Sequence, residues 1–395
     1  MIDYPTLYLQ KKHDYRIKAG HQWIFSNELK EVPRLDPGTV VDFVDAHGHF
    51  LARGYYNPHS LICGRILTRN SQEPIDRDFF SKRLNRAFEY RKFLYPGEES
   101  YRLVFSEADF LPGIIIDKYR DHLVFQVLTA GMELWKSTLV ELASELFKPA
   151  CIYERSDSAN RAHEDLEKVQ QCLSGTPDPN LCILQDGVRL KVNLQEGQKT
   201  GFFFDHRENR KSLASIVPGK EVLDLFCGTA PWTLYGTQYG ATNVLGVDSS
   251  ALAINLAKEN AHLNKMESRC EFQVKDVFDA LLELNKIRKK YDVVLCDPPA
   301  FAKSRTHRNS AIKGYLKLNQ MALSLVKPGG YLVSSSCSQL VSRSEFRDIL
   351  KESGVKSDKN LILTREGGQG PDHPILMQVP ETEYLKCLTV KVENR

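Results

Sequence analysis

From about residue 190 onward, short apolar runs alternate with stretches of helical spacing. The runs are EVLDLF, NVLGVD, CEFQVKD, YDVVLCD and GYLVSSSC. SALAINLAKENAHLN follows the second run as a helix, and KGYLKLNQMALSLVKPGG precedes the fifth and stops at Pro-Gly-Gly. This rhythm predicts a doubly wound α/β domain with a largely parallel sheet. Upstream the pattern differs. Up to about residue 70, GTVVDFVDAHGHFLARGYYNP alternates, with Gly38, Gly48 and Gly54 as turn residues, which predicts a small β-barrel. The middle mixes elements. RDFFSKRLNRAFEYRKFL places Phe79, Phe80, Leu84, Phe88 and Leu94 towards one side of a helix, LPGIIIDKYRDHLVFQVLT reads as a hairpin, and ELWKSTLVELASELF is a second helix. The expected domains are therefore a barrel over 1–72, a small central α/β domain over 73–188 and the doubly wound domain over 189–395.

Composition changes this picture little. The 395 residues are 42% hydrophobic and 26% charged, as in an ordinary globular protein. No apolar run approaches a membrane span, and the start MIDYPTLYLQKKHDYR lacks a signal-peptide core, so a cytoplasmic location is expected, with no membrane partner. Nine scattered cysteines without a C-x-x-C pair disfavour both a disulfide framework and a zinc site; no metal is expected. A net charge of +3 is close to neutral, so any RNA-binding surface must come from local clustering.

Candidate chemistry gathers at the strand ends. VLDLFCGTAPWTL is strand, small-residue turn and helix start, with Gly228 for close ligand approach and Pro231 in the first helical turn. A dinucleotide-binding oxidoreductase would carry G-x-G-x-x-G there. Here the turn holds Asp224, the next strand ends in Asp248, a ribose-hydroxyl acceptor, and the third in Asp276, where an adenine amino group would lie. Any one of these alone is more commonly a strand cap than a ligand contact. Three in register, followed by an Asp-Pro-Pro turn, fit S-adenosylmethionine better than a dinucleotide. Phe226, Ser249, Val277 and Asp297 complete the expected cofactor-binding set.

The fourth run ends in CDPPAF. Pro298 and Pro299 make a stiff turn that presents Asp297 and an apolar face to a flat substrate. Cys337 stands alone at the end of the fifth run. Cytosine C5 is a weak nucleophile until a thiolate adds at C6, and such catalysis needs one activated cysteine beside the base. The opposing reading is a structural cysteine, the commonest fate of the residue. Cys296 lies on an apolar strand and should face the core; Cys227 sits in the cofactor turn as a structural residue.

These motifs resemble the bacterial 23S ribosomal RNA 5-methylcytosine methyltransferases of the RlmI type. The resemblance is carried by IKAGHQWIFSNEL, GYYNPHSLICGRIL, LPGIIIDKY, YERSD, GQKTGFFFDHRENR, DLFCGTAPWT, DPPAFAKS, SSSCS and DHPILMQVPETEYLKCL. It implies an N-terminal PUA domain, a central α/β domain and a class I, Rossmann-like methyltransferase domain. It also implies large-subunit rRNA as partner, Cys337 as nucleophile and Asp297 at the base edge, and it allows a homodimer. Departures are Ala230, where the family's turn carries Gly, Phe110, where GDGLPG carries a small residue, and RAHEDLE after YERSD. Relatives without the fifth-strand cysteine methylate guanine. No residue is assigned to removing the C5 proton.

Two segments are candidate RNA contacts. One is AFAKSRTHRNSAIKGY, with Lys303, Arg305 and Arg308; the other holds Lys11, Arg16 and Lys18, ahead of Trp23 and Phe25, which are read as barrel core. TGFFFDHRENR is expected over the cofactor entry, with Arg207 and Arg210 as RNA contacts or as partners of Asp205. The alternatives to a cytosine-C5 methyltransferase are a base N-methyltransferase on the same fold and an inactive RNA-binding assembly factor.

Overall fold

The computed structural model describes residues 3–31, 34–195, 201–301 and 305–395, with the side chain at 305 excepted. The chain divides into two compact units. One comprises Met1–Ile183, Val192–Phe204 and Pro371–Thr382; the other comprises Leu184–Lys191, Asp205–Gly370 and Glu383–Arg395. The segments read from the sequence as barrel and central domain thus share one unit. No helix among the described residues is long and apolar enough to cross a membrane.

The first unit holds two five-stranded sheets. In the N-terminal one the order is Thr6–Tyr8, Thr39–Val44, Phe50–Tyr56, Gly64–Thr68, Trp23–Ile24. An antiparallel bridge between Leu9 and Leu29 joins its two edges, with Gln10 N donating to Glu28 O and Lys30 N to Tyr8 O, both at 2.8 Å. That closure pairs edge groups that would otherwise stand open, around a core of Leu7, Leu9, Ile17, Ile24, Phe43 and Ile66. Trp23 and Phe25 are half-buried rather than core: Arg65 lies over the first ring at 5.2 Å and Arg16 over the second at 4.8 Å. The second sheet includes the expected hairpin, Ile114–Tyr119 against His122–Val127, and packs with the helices Arg77–Leu94 and Ala130–Phe147.

In the second unit seven strands form one sheet. They are β1 (Glu221–Leu225), β2 (Asn243–Asp248), β3 (Cys270–Val274), β4 (Tyr291–Cys296), β5 (Val326–Ser336), β6 (Lys359–Gly367) and β7 (Lys386–Asn394). Their order is β3-β2-β1-β4-β5-β7-β6. Neighbours from β3 to β5 are parallel, whereas β7 runs antiparallel to both β5 and β6. The helices are α1 (Arg207–Lys211), α2 (Pro231–Gln238), α3 (Ala251–Leu263), α4 (Val277–Lys286), α5 (Arg308–Leu323) and α6 (Arg343–Lys356). Reversal of strand order on either side of β1 and β4 opens a crevice at their carboxyl ends, the place where such sheets bind ligands. Local chemistry fixes the helix starts. Ser250 caps α3, Asp276 caps α4, and Ser342 with Glu345 forms a capping box on α6.

Candidate active site

At the end of β1 the backbone turns sharply. Phe226, Gly228 and Ala230 all have positive φ, +64°, +54° and +71°. Gly228 suits this conformation, and the space its missing Cβ would occupy is open. Ala230 does not: a fully buried alanine in the left-handed region carries a cost that glycine would not. Pro231 then begins α2 without needing a donor.

Asp248, at the end of β2, accepts from Gly228 N at 3.0 Å and from Ser250 N at 2.8 Å, which ties the glycine turn to the neighbouring strand. Ser249 beside it is exposed. Asp276 is exposed and takes the amides of Phe278 and Asp279 at 2.8 and 3.2 Å on Oδ1, while Val277 is buried. Asp224 is fully buried, with Oδ2 accepting from Thr233 Oγ1 at 2.6 Å and Oδ1 without a hydrogen-bond partner. Burial pushes its carboxyl up to about 7 against the Thr233 bond, and the charges of Asp297 and Asp248 add to the rise. The fold thus brings the three carboxylates of Asp224, Asp248 and Asp297 within electrostatic reach of one another, with Asp276 one strand further out. An open position at Gly228, an orphaned carboxylate oxygen and acceptors at successive strand ends fit the adenosyl and amino-acid parts of S-adenosylmethionine.

The end of β4 meets the end of β5, where Cys296 pairs with Ser334. Asp297 follows Cys296 and is half-buried. Its Oδ1 accepts from the Ser335 hydroxyl and faces His206 Nε2 at 3.2 Å, and its Oδ2 accepts from Trp232 Nε1 at 3.0 Å. Burial raises the carboxyl, but His206, Ser335 and Trp232 outweigh it and hold it below the usual range. His206 also packs edge-on to Trp232, with ring centroids 5.2 Å apart. Pro298 is buried, and Phe301 lies against Tyr315, 4.6 Å between centroids. Gly314 on α5 permits that approach, because a Cβ there would stand 3.1 Å from the Phe301 ring.

Cys337 is half-buried, one residue beyond β5. Cys296 is buried in the sheet core and Cys227 in the turn; burial pushes both thiols up. Cys337 therefore differs from both in its access to solvent. His206, Trp232 and Ser335, all on Asp297, were not singled out from the sequence. His206 lies 91 positions before the aspartate, so only the fold joins them.

The expected RNA contacts are placed unevenly. Lys11 is exposed. Arg16 is tied to Glu28 at 3.3 Å and to His21, and Lys18 pairs with Asp14. Lys18 also lines a cleft of about 450 Å³ in the first unit, with Arg69, Arg83 and Phe110. Lys303, the Arg305 side chain and Thr200 lie outside the described residues. Arg308 donates to Leu340 O at 3.2 Å and pairs with Glu345. Arg207 and Arg210 are buried: the first holds Asp186 at 2.6 and 2.9 Å, the second Gln185 at 3.0 Å, so both serve the fold of their unit.

Comparison with known proteins shows the family of the chain. A family model for a PUA-like domain matches residues 7–69, and one for S-adenosylmethionine-dependent methyltransferases matches residues 158–374. The chain is 38% identical over 390 residues to a ribosomal RNA large subunit methyltransferase I of Shewanella denitrificans, covering 97% of this chain and 98% of the relative. The protein of that name from Tolumonas auensis is 37% identical over 392 residues, covering 98% and 99%. Among solved structures, the methyltransferase SMU.776 complexed with SAH shares the fold at a TM-score of 0.85 and 23% identity, covering 98% of this chain and all of its own.

Proposed function

Since this chain belongs to the S-adenosylmethionine-dependent methyltransferase family and matches rRNA large-subunit enzymes along nearly its whole length, we propose that it forms 5-methylcytosine in large-subunit rRNA through a thiolate adduct of Cys337. When bound, S-adenosylmethionine supplies an electrophilic methyl group. Asp224, Asp248, Gly228, Phe226, Ser249, Asp276 and Val277 would hold it at the ends of β1 to β3.

The observation that carries the base assignment is the pairing of strand ends. Ser335, two residues before Cys337, donates to Asp297, so thiol and carboxylate are presented by adjacent strands joined by a hydrogen bond. Asp297, kept ionised by His206 and Trp232, accepts from the exocyclic amine of the base. Phe301 and the Pro-Pro turn support its flat face. The Cys337 thiolate bonds to C6, which makes C5 nucleophilic. C5 takes the methyl group as the donor departs as its neutral thioether. The C5 proton then passes to solvent water, the C–H pair restores the C5–C6 double bond, and the C–S bond breaks with its electron pair returning to sulfur. A base inside folded rRNA must be unpaired or flipped to reach this site, and Lys11 and Lys18 of the PUA-like segment are the basic side chains there left to contact phosphates.

Mass spectrometry of rRNA nucleosides, with and without the protein, tests this reading. Methylated cytosine should appear with the wild type, and Cys337→Ala should lower its formation by at least ~10³-fold. Full activity of that variant, or a methylated guanosine as product, would replace the covalent mechanism with base N-methylation. No cofactor binding by calorimetry would favour an inactive RNA-binding role.

A further inference from the structure

Lys386 opens β7, opposite Ser336 in the antiparallel register with β5, and is 3% exposed. An ammonium so placed needs an anion or a full set of acceptors. Its Nζ donates to the main-chain carbonyls of Ser338 at 2.6 Å and Tyr384 at 2.8 Å. Among the described residues no carboxylate forms an ion pair with it. Glu383, the nearby acid, is held by Arg343 through Nη2 at 2.6 Å and Nε at 3.0 Å, and Arg343 also reaches Glu366 at 3.2 Å.

Among the described residues, the thiol of Cys337, flanked by Ser336 and Ser338, is a group beside Lys386 that can become an anion. Burial pulls the Lys386 amine down to about 8; the largest influence in the opposite direction is Cys337, and the smaller effects of Arg343 and Glu383 oppose each other. On the other side of the turn, the Tyr315 hydroxyl accepts from Ser336 Oγ at 3.0 Å and pairs with Ser338 Oγ at 2.9 Å. Burial pushes that phenol up, so Tyr315 stays neutral and Lys386 supplies the positive charge.

We propose that Lys386 is a positioning residue for the Cys337 nucleophile, fixing the 336–338 turn through the Ser338 carbonyl and serving as counter-ion to the thiolate. This rests on the reading of Cys337 as nucleophile. The S–H bond breaks, its proton passes to solvent water, and sulfur keeps the electron pair; Lys386, already an ammonium held by two carbonyls, favours the anion by its charge.

The test is the pH dependence of iodoacetamide alkylation of the full-length protein, read by mass spectrometry on the peptide bearing Cys337, with melting and cofactor titration as fold controls. The wild-type midpoint should lie below the ordinary thiol value of about 8.5. Lys386→Met should raise it and slow alkylation at neutral pH by roughly tenfold, whereas Lys386→Arg, which keeps the charge, should leave it low. An unchanged midpoint in Lys386→Met, or an equal rise in both variants, would overturn the assignment. If Lys386→Met does not fold, a wild-type midpoint at or above the ordinary value, or a raised one in Lys386→Arg, overturns it alone. Full methylation by Cys337→Ala would instead sink the covalent reading, and a low wild-type midpoint would then still report the pair.

Discussion

Ala230 shows how one side chain bears on the cofactor turn. Its φ of +71° lies where an L-residue costs roughly 1–2 kcal/mol relative to glycine. Glycine would relieve that strain but add about 0.5–1 kcal/mol of unfolded-state entropy. The net expectation for Ala230→Gly is a stabilisation of ~0.5–1 kcal/mol, visible as a raised urea midpoint at unchanged slope. A lowered midpoint would mean that the Ala230 methyl, buried at the start of α2, contributes more packing than its backbone costs. Phe110, also left-handed at φ +58°, is the matching case in the first unit, but there the ring lies under Arg83 and Arg86 at 5.5 and 5.0 Å. Glycine at 110 would remove those contacts along with the strain.

Strand ends, taken as elements, set a pH dependence through the residue they bury between them. Asp224 on β1 is buried beside the carboxylates at the ends of β4 and β2, and its folded value of about 7 lies above the 3.8 of an unfolded chain. Between those values the folded protein holds a proton that the unfolded chain has released. Stability is therefore lost as pH rises from about 4 towards 7 and is level above that. Each unit is worth ~1.4 kcal/mol. Asp224→Asn keeps the Thr233 bond and removes the charge, so its melting temperature should exceed the wild type's by a margin that widens across that interval; a constant margin would refute the assignment. The elements themselves were legible to different degrees. β1, β2, β4 and β5 and the helices between them follow from period and composition, because parallel strands buried on both faces are continuous apolar runs, whereas β3, at the sheet edge, is largely exposed. The insertion of β7 between β5 and β6 was not legible, since EYLKCLTVKVENR specifies a strand but not its neighbours. For the same reason Lys386 could not be set beside Cys337 until the sheet order was known, while His206, in the turn just ahead of α1, could not be joined to Asp297 until that turn was placed.

At the scale of the whole molecule, 53 basic residues against 50 acidic ones leave almost no long-range field to draw a polyanion. Many of the basic side chains are consumed internally, as Arg16, Arg207 and Arg308 show. RNA affinity then depends on a few local cations, and few phosphate contacts mean a shallow dependence on salt. Each lysine on single-stranded RNA contributes about 0.7 to the slope of log affinity against log salt. Lys11 is exposed and Lys18 lines the cleft with Arg69 and Arg83. The double variant Lys11→Gln, Lys18→Gln should therefore lower that slope by ~1.4, and weaken binding to unrelated single strands as much as to rRNA, because phosphate contacts carry no sequence information. Fluorescence titration at several salt concentrations measures both quantities. A slope equal to the wild type's would remove these lysines from the RNA path and shift the electrostatic share of binding to other basic groups.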